Sequence, residues 1–190
     1  MAERPIFFEV TSVLAIRADL KTQTRRAFRV PEGCKGRPAG IAGNKENPLR
    51  LEWAGGVHRP RYQPGDILWV RETWGVGIQL AGGIIYRADY AGKQAPLAEG
   101  QKWRPSMIMP RELARIFLRV TDVRVERLQD ISERDAIAEG LADAARYTPR
   151  RNIRRFADFW DSFNAKRGYA WATNPWVWVY TFERVQYPEI

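Results

Sequence analysis

The hydrophobic pattern divides the chain into short extended runs and three helical stretches. Ile6-Phe7-Phe8 reads as a brief buried strand. Thr11 can cap a short helix carrying Val13, Leu14 and Ile16, which ends near Asp19, a residue able to take the left-handed conformation wanted after a helix. Pro64-Gly65-Asp66 marks a turn before the strand 67–70, and Gly82-Gly83 precedes another at 84–90. Strict alternation through Ile116, Leu118 and Val120, continuing to Val123 and Val125, predicts a half-buried strand. Ser132 with Asp135 three residues on has capping-box chemistry, opening a helix that carries Ala136, Ile137 and Leu141. Phe156, Phe159, Trp160 and Phe163 recur at helical spacing over 150–166, which predicts a core-facing stripe closed near Gly168. A last strand spans 176–184.

Two stretches break the pattern. Residues 30–61 are rich in Gly, Pro, Asn and charge, with room for one short strand at 49–53, and residues 91–112 are irregular and basic. The whole, 1–190, reads as a single α+β domain: a small mixed or antiparallel β-barrel with peripheral helices and these two loop-rich insertions.

Charge changes this picture. The chain carries 31 Lys and Arg against 22 Asp and Glu, a net charge of +9. An arginine-rich basic surface suits phosphate, which guanidinium binds in a bidentate fork. Eight tryptophans interleaved with basic residues also suit stacking on unpaired bases. One cysteine, Cys34, and one histidine, His58, allow neither an intramolecular disulfide nor an N/S metal constellation. No run is long enough to cross a membrane, and the N-terminus lacks the apolar core of a signal peptide. A cytoplasmic protein without metal or other cofactor is expected.

The densest chemistry is Lys21-Thr22-Gln23-Thr24-Arg25-Arg26. A polar run of this kind reads as a loop held open by a scaffold. Lys21 and Thr24 offer a base and a nucleophile, Arg25 and Arg26 an anion clamp, so the run is either an active site or a phosphate-gripping edge. Arg71, Glu72 and Trp74 follow the strand 67–70 and are placed at the barrel mouth, Trp74 either stacking on a base or packing into the core. Arg104 and Arg111 are candidate phosphate contacts in the second insertion. Arg150, Arg151, Arg154 and Arg155 form a basic cluster on the last helix.

Taken together, Val13 to Arg25, Tyr62 to Glu72, Val120 to Gly140, Lys102-Trp103-Arg104-Pro105-Ser106 and Asn174 to Val179 resemble the ASCH domain family, in particular its larger phage and prophage members. The resemblance implies a PUA-like barrel associated with RNA. One small member of that family is an N(4)-acetylcytidine amidohydrolase, and ribonuclease activity has been assigned to others. It implies Lys21 and Thr24 as two catalytic residues and places Glu139 as the third, the catalytic acid. Asp19 stands where the signature has Gly. The function implied is removal of an acyl group from a modified cytosine nucleoside. The alternatives are an RNA or modified-base binding module without catalysis and, more weakly, a ribonuclease. The partner is then an acylated cytidine, RNA or a nucleotide.

Overall fold

The computed structural model describes residues 2–30, 40–42, 50–53, 56–78, 83–141 and 151–186. Cys34 and Arg150 lie outside them. In chain order the elements are β1 (Glu3–Phe7), α1 (Val10–Arg17), β2 (Gln23–Ala27), β3 (Gly40–Ala42), β4 (Arg50–Trp53), β5 (Gly56–His58), β6 (Ile67–Arg71), β7 (Trp74–Val76), β8 (Ile84–Tyr86), β9 (Phe117–Arg127), α2 (Glu133–Ala138), α3 (Arg151–Asn164) and β10 (Trp176–Val185).

Five strands form the principal sheet in the order β1-β6-β9-β10-β2, with β1 and β6 parallel and the other pairs antiparallel. The α+β class holds, but this order is open. Its end strands β1 and β2 do not pair with each other among the described residues, where the sequence pattern predicts a barrel.

Strand β10 organises the interior because it is apolar on both faces. Trp176, Trp178, Tyr180 and Phe182 point into the main core with Ile6, Leu68, Leu118 and Val120. Val177 and Val179 point the other way, into a second core with Leu128, Phe156 and Trp160 beneath α2 and α3. A register shift between Thr181 and Phe182 bends its pairing with β9.

Several expectations are corrected. Helix α1 is capped by Glu9 rather than Thr11: its carboxylate accepts from the Thr11 and Ser12 backbone N–H groups at 2.7 Å each, and a carboxylate satisfies two orphan donors where a hydroxyl satisfies one. Ser132 does cap α2, accepting from Asp135 N–H at 3.1 Å, but the helix ends at Ala138 and leaves Ile137 exposed. The strand expected over 84–90 stops at Tyr86 and continues as a 3₁₀ turn. The polar run after α1 is largely strand β2, not a loop. In the 30–61 insertion, β3, β4 and β5 form a small antiparallel sheet, and Leu51 within it is fully buried in the main core. Residues 31–39, 43–49 and 54–55 of that insertion lie outside the described residues.

Candidate functional site

The site begins at the end of α1. Asp19 has φ 55°, the left-handed conformation expected after the helix, so a side chain replaces the usual glycine without altering the turn. Its carboxylate accepts from Arg184 at 3.1 Å. The turn folds the Leu20 and Lys21 N–H groups back onto the Ala15 carbonyl, at 2.8 and 3.2 Å. Lys21 is thereby delivered to the C-terminal end of α2, where it forms an antiparallel bridge with Glu139, and Thr22 N–H donates to Ala138 O at 2.8 Å. Gly140 makes this approach possible. It has φ +83°, and a Cβ there would sit 2.7 Å from the Ala15 Cβ and 2.8 Å from the Lys21 Cβ.

Residues 118 positions apart now share one charge cluster. The Lys21 amine donates to Glu139 Oε2 at 2.6 Å and to the Glu139 backbone carbonyl at 2.9 Å. Arg25 Nη1 donates to Glu139 Oε1 at 3.0 Å. The rest of that guanidinium is held by Glu126, at 3.0 Å through Nε and 2.7 Å through Nη2, with Asp135 at 3.5 Å. Lys21, Thr24, Arg25 and Glu139 are each only 3% exposed. Burial pushes the Lys21 amine below the ordinary lysine range, against the opposing pull of Glu139. The lowering makes the amine readier to give up its proton than an exposed lysine is.

Alternation along β2 explains the placement of its side chains. Arg25 pairs in register with Val179 and lies on the α2–α3 side, above the Phe156 ring. Thr24 and Arg26 pair with Tyr180 and Trp178 and share the opposite face. Because β2 ends the sheet, its free edge opens onto a cleft of about 690 Å³ lined by Lys21, Thr24, Arg25, Arg26 and Glu139 together. Phe7 and Phe8 form one wall, with the Arg26 guanidinium over both rings at 5.6 and 5.3 Å. Burial draws that guanidinium below its ordinary value. It donates to the Phe7 carbonyl at 3.1 Å.

The opposite wall is where the expectation of an aromatic core stripe fails. Phe156 and Trp160 are buried, but Phe159 is half-buried and Phe163 is 49% exposed. Phe159 and Phe163 stack edge to face with ring centres 5.2 Å apart and line the cleft, as do Arg167 and Tyr169. A signal for this was present in the spacing: 159, 163 and 167 follow one another at i, i+4 and i+8, a second stripe beside the core-facing one. A helix with two aromatic stripes has more apolar surface than one core contact covers.

The remaining candidates are not brought to the cleft. Glu72 is 1% exposed and accepts from Arg115 at 2.9 Å through both oxygens, so it is an internal ion-pair partner. Trp74 is buried with the Arg104 guanidinium 4.7 Å above its ring. Arg71 lies over Trp69 at 4.6 Å and donates to the Met107 carbonyl. Arg111 holds Glu3 bidentately at 2.6 and 3.1 Å. From these segments it is Thr73 and Ser106 that reach the cleft. Arg154 and Arg155 of the basic cluster are exposed. Among the described residues no helix is long and apolar enough to cross a membrane.

No protein-family model matches the chain, and no curated protein matches it. Solved structures similar to it over most of its length include the following two. One is an ASCH domain from Lactobacillus crispatus JV V101, 13% identical, covering 96% of this chain and 79% of the other with a TM-score of 0.44. The second is protein EF3133 from Enterococcus faecalis V583, of family DUF984, 14% identical, covering 97% of this chain and 77% of the other with a TM-score of 0.46.

Proposed function

We propose that this chain is an ASCH-type amidohydrolase that removes an acyl group from the exocyclic nitrogen of a modified cytosine nucleoside. The observation that carries the reading is the burial of Lys21, Thr24 and Glu139 along one aromatic-walled cleft, with the amine 2.6 Å from the carboxylate.

Moving the shared proton from Lys21 to Glu139 leaves a neutral amine and a neutral carboxyl. Burial weakens the hold of the Lys21 amine on its proton, which is what this transfer asks of it. The amine then takes the Thr24 hydroxyl proton as the oxygen attacks the acyl carbon. Glu139 gives its proton to the departing cytosine nitrogen, and water releases the acyl group from Thr24 with the same groups acting in reverse. Arg25 has the separate task of holding Glu139 in place through Oε1.

One observation favours a second reading, binding of a modified base without turnover. The Lys21 amine is hydrogen-bonded to Glu139 rather than to Thr24, and both Glu139 oxygens are already engaged by cations. The two readings separate on incubation with N(4)-acetylcytidine, following the deacylated nucleoside by chromatography. Turnover should fall about 10²–10⁴-fold in Lys21→Met, where Arg25 still pairs with Glu139. Thr24→Ala should be as severely impaired. Unchanged hydrolysis in Thr24→Ala would remove Thr24 as nucleophile. Wild-type protein that binds the nucleoside but releases no product would establish the binding reading instead.

A further inference from the structure

A second pocket of about 310 Å³ lies against the cleft, and Phe7, Arg26 and Ala27 line both. Its walls are aromatic. Phe28 and His58 stack with ring centres 4.4 Å apart and planes 25° from parallel, while Tyr62 and Tyr180 meet edge to face at 5.0 Å. Trp178 donates its indole N–H to His58 Nδ1 at 3.2 Å, which makes that nitrogen an acceptor, and burial pushes the imidazole below its ordinary value. The histidine is therefore a neutral, ring-like wall rather than a cation.

The charge in this pocket comes from arginine alone. Arg26, Arg59 and Arg61 line it, and no acidic side chain does among the described residues. Arg59 and Arg61 are exposed at its rim. By contrast, the cleft contains Glu9 and Glu139. Three guanidiniums in a pocket whose lining has no acidic side chain, over flat apolar rings, match an occupant that is planar at one end and multiply anionic at the other. A nucleotide has that form. Because Arg26 belongs to both cavities, a phosphate held there would join an occupant of the cleft to an occupant of the second pocket.

We propose that the second pocket is the subsite for the adjoining nucleotide of a single-stranded nucleic acid. Arg26 meets the linking phosphate, Arg59 and Arg61 meet the next one, and the base lies against the Phe28–His58 stack. The substrate or ligand is then a nucleoside within a strand rather than a free one. This rests on the nucleoside reading of the cleft.

Fluorescence anisotropy with 5′-labelled tetracytidylate, as RNA and as DNA, competed by unlabelled tetranucleotide and by cytidine monophosphate, tests it. The tetranucleotide should bind about tenfold or more tightly than the monophosphate, an advantage that one stacked base and its phosphates can supply. Arg59→Glu/Arg61→Glu, at exposed positions, should erase that advantage, and the neutral Arg59→Gln/Arg61→Gln pair should reduce it by less. The strand that binds more tightly names the sugar, and preference for either supports the proposal. A tetranucleotide advantage unchanged in the charge-reversed variant, or absent from the wild type, overturns it. Phe163→Ala, in the cleft wall, reports separately on the cleft. If it leaves tetranucleotide binding intact while charge reversal abolishes it, the nucleoside reading of the cleft falls and the second pocket stands as a strand site.

Discussion

Lys21 concentrates the chemistry of this molecule in one amine. It is buried, bonded to a carboxylate and flanked by Arg26, and burial has the largest effect on its proton. Its folded-state value therefore lies below the 10.5 of an unfolded lysine. Between those two values the unfolded chain holds more protons than the folded one, so this residue makes stability rise with pH across the window and fall as pH drops back through it. Below the lowered value both states are charged and the effect is constant. In Lys21→Met that slope should vanish, read as the difference in urea midpoint between variant and wild type at successive pH values up to 10.5. Tyr62 and Tyr180, whose hydroxyls burial raises, the latter to about 12, act alike in both proteins and cancel. A difference independent of pH would mean that Lys21 ionises as it does in water.

At the scale of elements, the site depends on how two helix ends are closed. α1 ends in a left-handed Asp19 and α2 in a left-handed Gly140, and the two closures bring Lys21 and Glu139 into a backbone bridge. Asp tolerates the first position because its side chain finds Arg184 in open space. Nothing larger than hydrogen fits the second. Gly140→Ala adds left-handed strain of roughly 1–2 kcal/mol to a collision with two Cβ atoms fixed to backbone. It should lower stability by at least about 2 kcal/mol, measured by urea unfolding. Because the displaced segment carries Lys21, the same variant should lose function beyond what its unfolded fraction explains. Normal stability in this variant would show that the α2–β2 contact is looser than the geometry indicates.

Across the whole molecule, the described part of the 30–61 insertion proves to contribute to the interior. Leu51 is fully buried in the same core as Phe28 and Trp178, and β5 ends in His58, stacked on Phe28. Leu51→Ala should therefore cost about 2–5 kcal/mol, as for a core leucine, rather than the negligible amount expected on a surface insertion. Equilibrium unfolding by urea reads it directly. An unchanged midpoint would mean that the small sheet is detachable from the main core. The net charge of +9 is likewise unevenly used. Arg25 and Arg115 are committed to the buried carboxylates of Glu139 and Glu72, while Arg26, Arg59 and Arg61 line the acid-free pocket.

How much of this was legible in the sequence follows from the range of each interaction. Strands 67–70 and 176–184, the Ser132 cap, the left-handed Asp19 and the chemistry-bearing run Lys21–Arg26 could be read locally, because periodicity, capping and turn conformation depend on near neighbours. Glu139 came only through the family resemblance, since nothing in its local pattern singles it out. The sequence pattern could not say that the polar run would be a buried edge strand, since its charges are satisfied by Glu126, Asp135 and Glu139, all more than a hundred positions away. The spacing does set Phe159 and Phe163 on a stripe beside that of Phe156 and Trp160, but only the packing of α3 decides which stripe faces the core. The sequence by itself determined which residues could carry charge, hydroxyl and ring, and in what local conformation. Tertiary structure alone decided which of those charges were spent inside and which were left facing the cleft and the pocket beside it, because ion pairing and burial are set by contacts that chain order does not contain.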